Sequence, residues 1–287
     1  MNWFYLSLIS IFALALAELA QQHVLHTKNK FDERTSGSLT FFIQTLFTIP
    51  ILFLTGLNTK IFSIFDPSIL KYVLTTNIIA SVAMIFYLRS FKVNNISFSS
   101  ILVSASVIVS TTIGIIFFGE SVNIVKFIGI VLILLAILGV NYKNLHIESN
   151  HKWGLLAGIL FGLTYSLDKL IVNRVEPLIY IFWGFMFVSL FGFIHNPKQV
   201  VTSVRNSKFV DYLPIFVSGI GYFIYNICTF YAYKLGGEVG KIDAINNSQV
   251  FLIILFEYFI FKHTEGIFRK LIFASMAFTG VYILGNL

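Results

Sequence analysis

Ten apolar segments, each long enough to cross a lipid bilayer, follow one another along this chain of 287 residues. A transmembrane helix needs about 20 predominantly apolar residues to cross about 30 Å of hydrocarbon. The segments occupy residues 3–22, 38–57, 69–89, 97–118, 123–141, 153–172, 178–194, 211–233, 241–261 and 267–286. The sequence therefore predicts an all-α, polytopic membrane protein with about ten transmembrane helices.

The composition excludes a soluble domain. Only 11% of the residues are charged and 57% are hydrophobic, whereas soluble domains carry about 25% charged residues. The net charge of +7 does not indicate nucleic acid, because the basic residues are scattered between apolar runs. Of the 20 Lys and Arg residues, 13 fall in loops after odd-numbered segments. The positive-inside rule then places both termini outside the cytoplasm.

A spacing that recurs in the two halves of the chain indicates an internal repeat. Glu18 follows Trp3 by fifteen residues, and Asp168 follows Trp153 by the same number. Each pair opens a run of five predicted spans. We therefore predict two related units.

The predicted units cover residues 1–147 and 148–287. An odd number of spans per unit makes the second unit enter the membrane in the opposite orientation, so the units become inverted repeats. Such a protein has two nearly exchangeable conformations, one open to each side of the membrane. This geometry is the one that alternating access requires.

Two short motifs carry a family resemblance. The segment 114–120 (GIIFFGE), followed by 126–129 (KFIG), resembles a hallmark of the EamA-type transporters of the drug/metabolite transporter superfamily. The resemblance implies that a small metabolite, such as an amino acid, amine, nucleoside or sugar, crosses the membrane, and that protons can be coupled to it. It also implies a cavity lined mainly by spans 1, 3, 4, 6, 8 and 9, without a metal or an organic cofactor.

Glu18 is the first candidate site residue. It lies about 22 Å into the first predicted helix at 1.5 Å per residue, where a carboxylate is costly unless it faces a cavity, a partner or a proton. We interpret it as a site for a substrate amine or a proton. The alternative is that Glu18 reaches water at the far interface, which the following Gln21, Gln22 and His23 favour.

Asp168 is the counterpart of Glu18 in the second unit. The recurrence of an acid at this depth predicts that Asp168 faces the central axis. The neighbouring Lys169 offers a second interpretation, a structural ion pair that neutralises the acid locally.

The ninth predicted span opens with a polar stripe of Asp243, Asn246 and Asn247, whose spacing places them on one helical face. Hydrocarbon disfavours such a stripe, so it predicts either a polar binding surface or an interhelical contact. The corresponding part of the fourth span is rich in serines, which permit close helix approach. These are Ser97, Ser99, Ser100, Ser104 and Ser106.

Tyr222 and Asn226 complete the candidate site. They lie four residues apart on the eighth predicted span and so share a face. Aromatic walls with a few polar groups are typical of small-molecule pockets. We expect both to contact a substrate.

These observations predict a multi-pass protein of the cell (inner) membrane that acts as a secondary transporter and not as an enzyme. The expected partners are a small-molecule substrate, membrane lipid and protons, with no nucleic acid; the chain is a monomer or a homodimer. The alternative is a membrane-embedded enzyme or accessory protein that acts on lipid-linked substrates. An enzyme should show a nucleophile, an acidic motif or a metal-ligand cluster at an interface, and the single cysteine, Cys228, excludes a Cys-based metal site.

Overall fold

The computed structural model describes residues 2–26, 31–90, 102–141, 151–195, 197–261 and 267–286, which form twelve α-helices. They are α1 (Trp3–His26), α2 (Glu33–Leu54), α3 (Pro67–Ser90), α4 (Ala105–Phe118), α5 (Ile124–Asn141), α6 (His151–Val172), α7 (Pro177–His195), α8 (Pro197–Asn206), α9 (Phe209–Lys234), α10 (Val239–Asn247), α11 (Gln249–Phe261) and α12 (Ile267–Gly285). A 3-10 helix, Leu57–Phe65, precedes α3. The all-α class is therefore confirmed.

Six of these helices are long and apolar enough to cross a membrane, namely α1, α2, α3, α6, α7 and α9. Three shorter apolar helices, Ala105–Phe118, Ile124–Gly139 and Ile272–Gly285, fall within other predicted spans. The ninth span was predicted as one helix, and this is wrong, because Ser248 separates α10 from α11. The count of ten spans stays a prediction.

The second span begins five residues earlier than predicted, because α2 starts at Glu33. The Asp32 side chain accepts a hydrogen bond from the Thr35 backbone N–H at 2.9 Å, which satisfies one free donor of the first turn. Glu33, Thr35 and Ser36 are buried against the protein. Their polarity made this segment look like a loop, but tertiary contacts make it a helix.

The helices pack in a pattern that is preserved when the two halves are exchanged. The first predicted span of each half packs against the third predicted span of the other, α1 on α9 and α6 on α3. The second predicted spans pack together, α2 on α7, and so do the fifth, α5 on α12. This two-fold pattern is the one expected of the inverted repeat that the sequence predicts.

Glycines form a close seam between α6 and α4, as their every-fourth spacing indicates. An added Cβ on Gly158 would lie 2.5 Å from the Val103 carbonyl oxygen. One on Gly162 would lie 2.6 Å from the Val109 Cβ and 2.8 Å from the Ser106 carbonyl oxygen. The seam holds the first half against the second beside the serines of α4.

We therefore expect Gly162→Ala to destabilise the fold by about 1–3 kcal/mol, the usual cost of overpacking. Thermal unfolding in detergent measures the effect. Gly37→Ala is the matched control, because its new Cβ would lie 3.4 Å from the Leu88 Cδ1, an ordinary contact. That control should melt at or above the wild-type temperature, since Ala favours a helix over Gly. Equal melting of both variants would contradict the close seam.

Candidate functional site

A cavity of about 100 Å³ lies between the two halves. All seven candidate site residues line it: Glu18, Asp168, Tyr222, Asn226, Asp243, Asn246 and Asn247. Helices α1, α3, α6, α9 and α10 contribute most of the wall, and α2, α4, α7 and α11 contribute single residues or pairs. The volume has room for several water molecules.

Glu18 is buried inside the protein and does not reach water at the interface, so the interfacial interpretation is wrong. The residue is 5% exposed. Its Oε1 accepts a hydrogen bond from the Tyr87 hydroxyl and another, at 2.6 Å, from the Gln249 amide. Among the described residues no Lys or Arg forms an ion pair with Glu18. Its hydrogen-bond partners are neutral.

Asp168 has a similar environment, and the predicted pairing with Lys169 is wrong. The Tyr180 hydroxyl donates a hydrogen bond to Oδ1 of Asp168 at 2.5 Å. Lys169 instead places its Nζ 2.9 Å from Oε1 of Glu120, because adjacent residues on a helix point about 100° apart. Both Glu18 and Asp168 line the same cavity.

Asp243 is the third buried carboxylate of the cavity. Its Oδ1 accepts hydrogen bonds from Ser106 Oγ at 3.1 Å and Asn247 Nδ2 at 2.8 Å. Its Oδ2 accepts one from Ser110 Oγ at 2.8 Å. The predicted serine-rich stretch therefore does more than allow close packing, since Ser106 bonds this acid. Residues 97, 99 and 100 lie outside the described residues.

Asn246 of the stripe and Asn226 of α9 both bond neighbouring helices. Asn246 accepts a hydrogen bond from Ser10 Oγ at 2.5 Å and donates one to Thr229 Oγ1 at 3.3 Å, so it joins α10 to α1 and α9. Asn226 donates to Gln44 Oε1 at 3.0 Å. Each residue therefore lines the cavity while it also makes an interhelical contact.

Two further polar residues of the cavity were not predicted as site residues. The Nδ2 of Asn77 and the Oε1 of Gln249 are buried and have no hydrogen-bond partner among the described residues. Asn77 lies in the middle of an apolar span, which was a usable signal. Gln249 became recognisable only from the helix break at Ser248. A buried, unpaired polar group is costly, so both atoms are available to a ligand.

An ion-pair network joins the two halves at the end of the bundle where α1 begins, which we call the Trp3 face. Glu120 ends the hallmark segment and accepts hydrogen bonds from Lys169 Nζ at 2.9 Å and from the Val239 backbone N–H at 2.6 Å. Lys126 Nζ lies 2.5 Å from Glu238 Oε2 and 3.5 Å from Glu120 Oε2. The Lys169–Glu120 and Lys126–Glu238 pairs cross from one half to the other.

Glu238 precedes α10 and, like Glu120, lies outside the helices. Burial raises the pKa of Glu238, but hydrogen bonds from Lys126 and Ser121 and the charges of Lys126 and Lys241 lower it more, so the net pKa lies below the ordinary value. Because the pKa is lower in the folded protein than in the unfolded chain, the ionised carboxylate stabilises the fold at pH values above the usual carboxylate pKa. This stabilisation is lost as the pH falls through the lowered pKa. Glu238 is thus charged at neutral pH.

The described residues contain no group of three His, Cys, Asp or Glu side chains that could hold a metal ion. The chemistry available in the cavity is that of carboxylates, hydroxyls, amides and aromatic rings. These groups bind small polar or cationic molecules.

The fold and the cavity define a polytopic membrane protein with two structural repeats around one central site. A model of the EamA-like transporter family matches residues 1–142 and again residues 150–286. The chain therefore belongs to the EamA-like transporter family, within the drug/metabolite transporter superfamily, and is an integral membrane protein. The exact division at residue 147 stays a prediction.

Solved structures share this fold. One, described only as "Crystal structure of protein", has a TM-score of 0.74 at 13% sequence identity and covers 98% of this chain and 95% of its own. In all, 29 chains of solved structures match significantly. At this identity the similarity shows the fold alone. No curated protein matches the chain significantly.

Proposed function

We propose that this protein is a secondary transporter that carries a small amine-bearing metabolite across the membrane by alternating access, in exchange for protons. One observation supports this proposal most strongly. Three buried carboxylates, Glu18, Asp168 and Asp243, line one cavity, and no cation pairs with any of them among the described residues.

The energetic argument starts from the cost of a charge in an apolar site. A carboxylate within a membrane span is expensive unless a cation or a proton neutralises it. An ammonium group and a proton can each do this, and they compete for the same oxygen atoms. Binding either one changes the cost of closing the cavity, so each can shift the balance between the two conformations.

The uncharged wall of the cavity favours a substrate with further polar atoms. Gln249 Oε1 can accept a hydrogen bond and Asn77 Nδ2 can donate one. The rings of Phe161 and Tyr165, which stack at 5.8 Å between centroids, can contact an ammonium group by cation–π attraction. Amino acids and small amines carry this combination of groups. A neutral sugar can donate hydrogen bonds to carboxylates, but only a cation or a proton neutralises their buried charge.

The cavity is smaller than ordinary ligand pockets, which enclose roughly 300–1,000 Å³. A substrate therefore enters only when the halves separate on one side. Opening at the Trp3 face requires separation of the Lys126–Glu238 and Lys169–Glu120 pairs. Their intact state corresponds to a conformation that is closed at that face.

An enzyme acting on lipid-linked substrates remains the second candidate from the sequence. The carboxylates of the cavity are buried among helices and not exposed at a membrane interface. A transporter needs its carboxylates in a central cavity, whereas an enzyme that acts on lipid-linked substrates needs reactive groups at the level of the lipid headgroups. The geometry therefore favours transport.

Purified protein should be stabilised by an amine or amino acid and not by neutral sugars in a thermal-shift screen, since a ligand at 100 times its Kd contributes about 2.7 kcal/mol. The stabilising compound should then enter proteoliposomes, faster when a pH gradient is imposed. Stabilisation by sugars alone would contradict the amine assignment. A compound that binds but shows no flux would contradict transport.

A further inference from the structure

A second pocket lies away from the central cavity and shares no lining residue with it. A groove of about 290 Å³ runs between α2, α7 and α8. Its wall is mainly apolar, with Leu39, Phe42, Leu190, Phe193 and Val204. The groove lies at the face opposite the Trp3 face, where α2 begins and α7 ends.

One polar group in the groove has no partner. Ser38 is 6% exposed, and its Oγ has no hydrogen-bond partner among the described residues. Its backbone carbonyl accepts from Ser189 Oγ at 2.9 Å. Ser38 lies about 7.5 Å along α2 from Glu33 at 1.5 Å per residue. A hydroxyl at this depth suits an acceptor such as a lipid ester carbonyl.

Exposed basic side chains lie on and just beyond the short helix α8, which forms one wall of the groove. The short helix α8 buries Val200 and directs Val204 into the groove. Lys198 and Arg205, at its two ends, are exposed, as is Lys208 just beyond it. The helix is therefore amphipathic, with an apolar side on the groove and cations toward the headgroup region.

We propose that this groove binds one anionic phospholipid. An acyl chain lies along Leu39, Phe42 and Leu190, and a glycerol ester carbonyl accepts a hydrogen bond from Ser38. The phosphate lies among Lys198, Arg205 and Lys208. The positive-inside count places this face in the cytoplasm, where anionic lipids attract basic segments.

A lipid in the groove would also affect how the two halves pack, because the groove lies at the junction between them. The α2 wall belongs to the first half and the α7 wall to the second. A lipid that contacts both stabilises one arrangement of this junction. The proposal does not depend on the identity of the transported substrate.

The test uses the full chain, delipidated in detergent and titrated with dioleoyl phosphatidylglycerol or dioleoyl phosphatidylcholine, with binding measured by native mass spectrometry. Each basic residue near an anionic lipid contributes about fivefold in affinity. We expect wild-type protein to prefer phosphatidylglycerol by on the order of 100-fold. Equal affinity for the two lipids would overturn the proposal.

Three variants separate the parts of the site. The triple variant Lys198→Gln, Arg205→Gln, Lys208→Gln should lose the preference for phosphatidylglycerol. Val204→Trp should weaken binding of both lipids by filling the groove. Ser38→Ala removes only the hydroxyl and should weaken both lipids severalfold.

The matched control removes three exposed cations from the Trp3 face, as Lys60→Gln, Lys71→Gln and Arg174→Gln. It should keep the wild-type preference. An equal loss in this control would show a non-specific charge effect and overturn the site. Inorganic phosphate should not displace the lipid, and complete displacement would show a simple anion site in its place. Melting temperatures without lipid verify that each variant is folded.

Discussion

Glu18→Gln is expected to lower uptake by roughly 5- to 150-fold, the range of typical coupling free energies, and to remove its pH dependence. Glutamine keeps the shape of the side chain and can still accept hydrogen bonds from Tyr87 and Gln249. It cannot bind or release a proton at the carboxyl group. The measurement is uptake into proteoliposomes across a series of pH values.

One control variant and one comparison variant accompany this experiment. Glu176→Gln changes an exposed carboxylate, which pairs with Lys234 at the surface, and should leave uptake unchanged. Asp168→Asn tests the pseudo-symmetric acid, whose hydroxyl partner Tyr180 remains. Wild-type uptake and an unchanged pH profile in Glu18→Gln would assign Glu18 a structural role.

Glu120→Gln is expected to lower the free energy of unfolding by about 3–5 kcal/mol, the usual effect of breaking a buried ion pair. Glu120 is the carboxylate that pairs with buried Lys169, and glutamine leaves that ammonium group without its counter-charge. The amide oxygen can still accept from the Val239 backbone N–H. The loss is therefore electrostatic. Thermal and denaturant unfolding in detergent measure it.

Removal of both charges separates this electrostatic effect from altered packing. The double variant Glu120→Gln, Lys169→Met should recover part of the lost stability, because no unpaired charge remains. Glu176→Gln breaks an exposed pair and should cost less than about 1 kcal/mol. If Glu120→Gln and Glu176→Gln had equal effects, the network would contribute little to the fold.

The local sequence could not predict where α10 ends. The span 241–261 is one continuous apolar pattern after its polar start, and continuous helix was the simplest expectation. The observed break at Ser248 leaves Gln249 beside Glu18 on α1. That contact joins positions 231 residues apart, so no local pattern contains it.

The sequence also could not show which side chains pair with one another. Lys169 follows Asp168 directly, yet it pairs with Glu120 on another helix, and Tyr180 bonds the acid. Helical geometry separates neighbours by about 100°, and the packing of α6 on α4 then decides which side chains meet. The serines of α4 likewise became partners of Asp243 through packing alone.

The sequence by itself determined that the protein lies in a lipid bilayer, that it is all-α and that it contains a repeat. These features depend on composition and on the spacing of residues along one helix. It also singled out seven residues that line the central cavity; their role in binding stays a proposal. Only the tertiary structure decided which partner each buried acid has, which buried polar atoms lack a partner among the described residues and which ion pairs join the halves at the Trp3 face. Those features depend on contacts between helices distant in the sequence, and such contacts are set by the packing of the whole bundle.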